Sequence, residues 1–144
     1  MTMRGFTLIE LLIVIAIIGL LVGVALPSLN LLISQTNVTD AAATYAQTLR
    51  RAESLAIAGR NDSACGVHLA TSSIVLFKGT SYAARDTQYD DSYTTSNFVP
   101  SGLTEISFAK FTGLPSATGD TTLTNDRGSS TKTITINAKG TILY

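Results

Sequence analysis

Residues 11–26 carry no charge and no side chain more polar than Gly or Ala. A helix made from such a run is apolar on every side, so it needs a membrane or other helices around it. The wider apolar stretch starts at Phe6, with Glu10 inside it and Arg4 ahead of it. Taken as a helix, residues 6–26 rise roughly 31 Å at 1.5 Å per residue, enough to cross a bilayer core. The remaining sequence is different in character, rich in Thr and Ser with scattered Gly. At 144 residues there is room for one small domain behind this segment. Formal net charge is zero, so no bulk field attracts nucleic acid or anionic lipid.

Two readings of the start follow from the residues themselves. A secretory signal fits the basic head and the apolar run, with a small-residue cleavage site at Gly23-Val24-Ala25. Against it, an acid inside the run impedes insertion, and the helical pattern continues past Ala25. A plain membrane anchor also fits. Arg4 stays cytoplasmic and the chain beyond Pro27 lies outside. That reading leaves Glu10 unexplained, because an acid in a spanning helix costs on the order of 2.5–3.5 kcal/mol at the centre, less near an end, and usually has a partner.

The run Arg4-Gly5-Phe6-Thr7-Leu8-Ile9-Glu10-Leu11-Leu12-Ile13-Val14 resembles the class III signal of type IV prepilins and type II secretion pseudopilins. The resemblance implies that prepilin peptidase cuts after Gly5 and methylates the new amino terminus, Phe6. It implies that residues 1–5 are a leader and that the apolar helix is kept. The new ammonium then stands about one turn from Glu10. Pairing the two, within a chain or between neighbours, offsets desolvation and fixes the register of packed helices. Gly19 and Gly23 form a Gly-x-x-x-Gly spacing that lets another backbone approach. Pro27 lacks an N–H and clashes with the preceding turn, so a kink or loosening is expected there.

Behind Pro27 the helical pattern resumes. Val38, Ala42, Tyr45, Leu49, Ala52 and Ala56 recur at three- and four-residue steps. Gly59 and Asn61 give a stop signal, so an amphipathic helix is expected over 28–59 and a β-rich part over 60–144. Alternation predicts strands around Cys65–Leu69, Ile74–Phe77, Leu103–Phe111 and Thr121–Thr124, and a closing hairpin through Ala138-Lys139-Gly140. Residues 80–102 show no period and read as a long surface loop. The expected fold class is α+β: a long helix, apolar then amphipathic, packed on a small antiparallel sheet. Leu49-Arg50-Arg51-Ala52-Glu53-Ser54-Leu55-Ala56-Ile57 followed by Cys65-Gly66-Val67-His68-Leu69 is similar to the H-type minor pseudopilins and the related FimT pilins, with the helix-end run only partly matched.

Signals for chemistry are sparse. Cys65 is the one cysteine, so no disulfide forms within the chain. With the single His68 it makes no zinc set of the Cys/His kind, and no phosphate loop or His-Glu-x-x-His is present. No cofactor or metal is expected. Asp86, Asp90 and Asp91, or Asp120 and Asp126, offer oxygens for calcium at spacings that match no known loop. Arg85 among Tyr82, Tyr89 and Tyr93 hints at nucleic acid, but the interleaved acids cancel the field, and Arg127, Lys132 and Lys139 are spread thinly. The sequence therefore points to a non-enzymatic filament subunit, a minor pseudopilin or minor pilin. Its expected partners are prepilin peptidase, other pilin or pseudopilin subunits, an inner-membrane assembly platform and the cytoplasmic membrane. A DNA-binding minor pilin and a major pilin are the alternatives.

Overall fold

The computed structural model describes residues 5–95, 98–126, 128 and 130–144, with the side chains of 24–34 and 61 outside that description. The chain divides into two compact units, one ending at Ile33 and one beginning at Ser34. The long helix α1, Leu8–Ile57, contributes to both.

In the first unit, every described large apolar side chain from Phe6 to Val22 is exposed, between 49 % and 85 %. No face of this stretch is favoured over another, as an all-apolar sequence dictates. Among the described residues no helix is long and apolar enough to cross a membrane. The expected span 6–26 runs past Gly23 into residues whose side chains are outside the description.

The second unit is built on the amphipathic half of α1. Val38, Ala42, Tyr45, Leu49, Ala52 and Ala56, the stripe expected from the sequence, are all at most 1 % exposed. Five of the buried residues on this helix, Ala41, Ala42, Ala46, Ala52 and Ala56, are small, so the sheets approach the helix closely. The helix ends at Gly59, which adopts a left-handed conformation at φ 61° that suits glycine. The Phe111 N–H, far along the chain, donates to Ala56 O at 2.9 Å and satisfies one of the last helical carbonyls.

Eight strands follow: β1 Cys65–Ala70, β2 Ser73–Lys78, β3 Asp86–Thr94, β4 Phe98–Gly102, β5 Glu105–Phe108, β6 Gly119–Asn125, β7 Thr131–Ile136 and β8 Ile142–Leu143. They form two four-stranded antiparallel sheets, ordered β3-β2-β1-β5 and β4-β6-β7-β8, where the sequence had suggested one. Val67, Leu69, Ile74, Leu76, Ile106 and Phe108 from the first sheet join Phe98, Leu123, Ile134 and Ile136 from the second in one core against α1. Burying each such side chain contributes about 1.5–3 kcal/mol.

The long loop expected over 80–102 is a correction: it contains β3 and β4. β3 is an edge strand, exposed or half-buried along its whole length, so neither face carries an apolar alternation. Three aspartates on it blunt the edge against further strand pairing. The closing hairpin is present, with Ile136 opposite Ile142.

Candidate functional site

Gly5, Phe6 and Thr7 precede the helix, and Thr7 occupies the position that caps it. Glu10 N–H donates to Thr7 Oγ1 at 3.3 Å, and Thr7 N–H donates to Glu10 Oε2 at 3.5 Å. This reciprocal arrangement is a capping box, which satisfies two of the amide groups that a helix start leaves unpaired. Its sequence signal, Thr followed three residues later by Glu ahead of an apolar run, is legible, yet Glu10 alone had drawn attention. The scissile Gly5–Phe6 bond implied by the prepilin resemblance therefore lies outside the helix, two residues before its first residue. Gly5 and Phe6 are exposed, and the Phe6 side chain is the most exposed of the large apolar ones at 85 %.

Gly19 and Gly23 both face open space, since a Cβ added at either would meet nothing within 4 Å. That leaves room for another backbone. The kink expected at Pro27 lies outside the described side chains, as does the basic head at Arg4 outside the described residues.

The weaker candidates are drawn into ordinary packing. His68 stacks on Tyr82 with ring centroids 3.9 Å apart and 14° between planes. Its Nδ1 stands 3.9 Å from Glu105 Oε2, beyond hydrogen-bond reach. Arg85 lies over the other partner of that stack, 3.7 Å from the Tyr82 ring, and its Nε donates to Asp90 Oδ2 at 2.8 Å. Arg51 pairs with Asp91 at 2.7 Å. The tyrosine-flanked arginine considered for nucleic acid is thus engaged within the chain, and Arg127 lies outside the described residues. Asp120 accepts from the Thr135 hydroxyl at 2.7 Å. Among the described residues no group of three or more His, Cys, Asp or Glu side chains could hold a metal ion. Cys65 is buried, and burial pushes its thiol above the ordinary range, with Lys78 opposing.

The described geometry is therefore a capped helix start carrying an accessible Gly–Phe bond, and an apolar surface ahead of a packed body. Residues 1–26 match the family described as the prokaryotic N-terminal methylation motif. The chain is similar to two proteins from Pseudomonas aeruginosa, each described as "Fimbrial protein", with 36 % identity over 104 residues. The match covers 72 % of this chain and 57 % of each relative, so the chain spans little more than half the length of the curated relatives it matches. No solved structure matches it. With this motif at its start, a helix packed on antiparallel sheets behind it and fimbrial relatives along most of its length, the chain belongs to the type IV pilin family.

Proposed function

We propose that this chain is a structural subunit of a type IV pilus-like or type II secretion filament. Prepilin peptidase cleaves it after Gly5 on the cytoplasmic side and methylates the amino group of Phe6. Before assembly the subunit sits in the cytoplasmic membrane through residues 6–27, with residues 60–144 on the far side. An inner-membrane platform then moves it into contact with sister subunits. The observation that carries this reading is the exposed apolar helix surface from Phe6 to Val22, in a chain whose second unit already has its own closed core. Such a surface is stable only in lipid or against other apolar helices.

Within that filament, Glu10 sets register by pairing with the Phe6 ammonium of its own or a neighbouring chain. Gly19 and Gly23 supply the close approach, and Pro27 the break in helical regularity. The partial likeness of residues 49–57 and 65–69 to the H-type minor pseudopilins and FimT pilins favours a minor subunit. The fimbrial relatives favour a pilus over a secretion filament. The subunit's role is structural, without catalysis of its own. Co-purification of the chain with pilin subunits from sheared filaments tests the proposal; a chain recovered only from the soluble periplasmic fraction would contradict it.

A further inference from the structure

The pairing between β2 and β3 is interrupted. Leu76 faces Asp91 and Lys78 faces Asp86, so the single residue Phe77 stands opposite residues 87–90. A bulge this wide takes a stretch of edge strand out of the ladder and opens the sheet locally. A cleft of about 400 Å³ fills the gap, between the bulge and the last turns of α1. Its lining includes the cations Arg51, Arg60 and Lys78, the acids Asp90 and Asp91, and Tyr89, beside several apolar side chains.

The cleft is mixed in chemistry and unevenly satisfied. Arg51 is engaged by Asp91, and Lys78 by Asp86 at 3.7 Å and by the Tyr89 ring at 4.4 Å from its centroid. Arg60 has no ion-pair partner among the described residues. Asp90 gives one oxygen to Arg85, while Oδ1 is enclosed and takes no hydrogen bond. Tyr89 is 43 % exposed and Gln88 is exposed beside it.

We infer that this bulge cleft binds an acidic sugar residue, of the hexuronate type, within a glycan. The unpaired Arg60 guanidinium receives the carboxylate, for which its fork geometry is suited. On binding, a shift of the exposed Gln88 side chain uncovers Asp90 Oδ1, which accepts a ring hydroxyl that supplies its missing bond, and Gln88 serves a second hydroxyl in either sense. Tyr89, with Lys78 over its ring, offers its exposed part to the apolar edge of the sugar. A nucleic-acid strand fits less well, because following a phosphate backbone needs several free cations and two of the three here are already paired. A purely apolar ligand would leave Arg60 and Asp90 Oδ1 without partners.

The test uses the full processed chain in detergent micelles, titrated calorimetrically with trigalacturonate and, separately, with the neutral trimer galactotriose. Saturable binding of trigalacturonate is expected, at least about tenfold tighter than the neutral trimer. Arg60→Ala and Tyr89→Ala, both exposed positions, should each weaken it by about tenfold while circular dichroism stays unchanged. No saturable heat with trigalacturonate up to about 20 mM overturns the inference, as does binding that neither variant alters. A single-stranded oligonucleotide that binds more tightly and is lost with the same two variants overturns the ligand class. None of these outcomes bears on filament assembly, which is read separately from sheared filaments.

Discussion

Thr7 and Glu10 hold each other at the start of α1, through Glu10 N–H to Thr7 Oγ1 at 3.3 Å and Thr7 N–H to Glu10 Oε2 at 3.5 Å. Glu10 therefore has a local task as a cap in addition to the register role proposed for its charge. The two tasks separate by substitution. Gln serves in a capping box as Glu does, but cannot balance an ammonium.

Glu10→Gln should keep the helix start and the cleavage after Gly5, yet enter filaments poorly. Glu10→Ala should lose the cap as well and assemble no better, with cleavage largely intact. Immunoblots of processed subunit against sheared-filament fractions read both steps. Normal incorporation of either variant sinks the register role.

Gly5→Ala should slow processing only in part, whereas a bulky side chain at residue 5 should block it. The Gly5 surroundings are open, with no heavy atom within 4 Å of an added Cβ, so neither change disturbs the chain's own fold. The defect must then arise at the peptidase. Accumulation of the uncut chain, seen as a mobility difference, is the readout.

Tyr45 is fully buried and its hydroxyl takes no hydrogen bond. Burial pushes its pKa up to about 12, with the nearby Thr121 offsetting a part; the Thr121 hydroxyl donates to Leu103 O at 2.6 Å. A phenol whose folded pKa is raised keeps its full contribution below the unfolded value near 10. That contribution is lost as pH climbs from there through the folded value. Chemical denaturation should therefore show stability falling from about pH 10 to 12, by on the order of 2–3 kcal/mol. Tyr45→Phe should abolish this component. At neutral pH it should cost nothing, or stabilise by up to about 1 kcal/mol, by removing an unsatisfied hydroxyl. A clear destabilisation at pH 7 would mean that the hydroxyl is hydrogen-bonded after all.

Gly66 on β1 has no room for a side chain. A Cβ there would lie 2.4 Å from the Phe77 ring and 2.8 Å from the Ile106 carbonyl oxygen, which belongs to the backbone of β5 and cannot turn away. Gly66→Ala should destabilise the body by about 1–3 kcal/mol, read as a lowered urea midpoint. An unchanged midpoint would show that β1 and β5 separate freely at this point.

Much of this was legible before any coordinates. The apolar stripe from Val38 to Ala56 has a helical period because one face meets a core, and that period survives in the sequence. β1 and β7 alternate for the same reason. β3 was missed because it lies at an edge, with Asp90, Asp91 and Tyr93 half-buried and the rest exposed, so nothing in its composition separates it from a loop. The division into two sheets was missed because strand order is set by pairings far apart in the chain, such as Val67 with Ile106. The cleft at the bulge was illegible for the same reason: it joins Arg51 and Arg60 on one side to residues 88–90 on the other, and no local pattern links them. At the N-terminus the motif stated what to look for, but the partnership of Thr7 with Glu10 needed geometry to see.

The central claim is that the leader is removed while the apolar helix stays. Intact-mass and terminal-peptide mass spectrometry of the chain recovered from its native membranes tests this directly. The account predicts a polypeptide that begins at Phe6 and carries one additional methyl group on its terminal amine. A polypeptide that begins beyond Ala25 would contradict it.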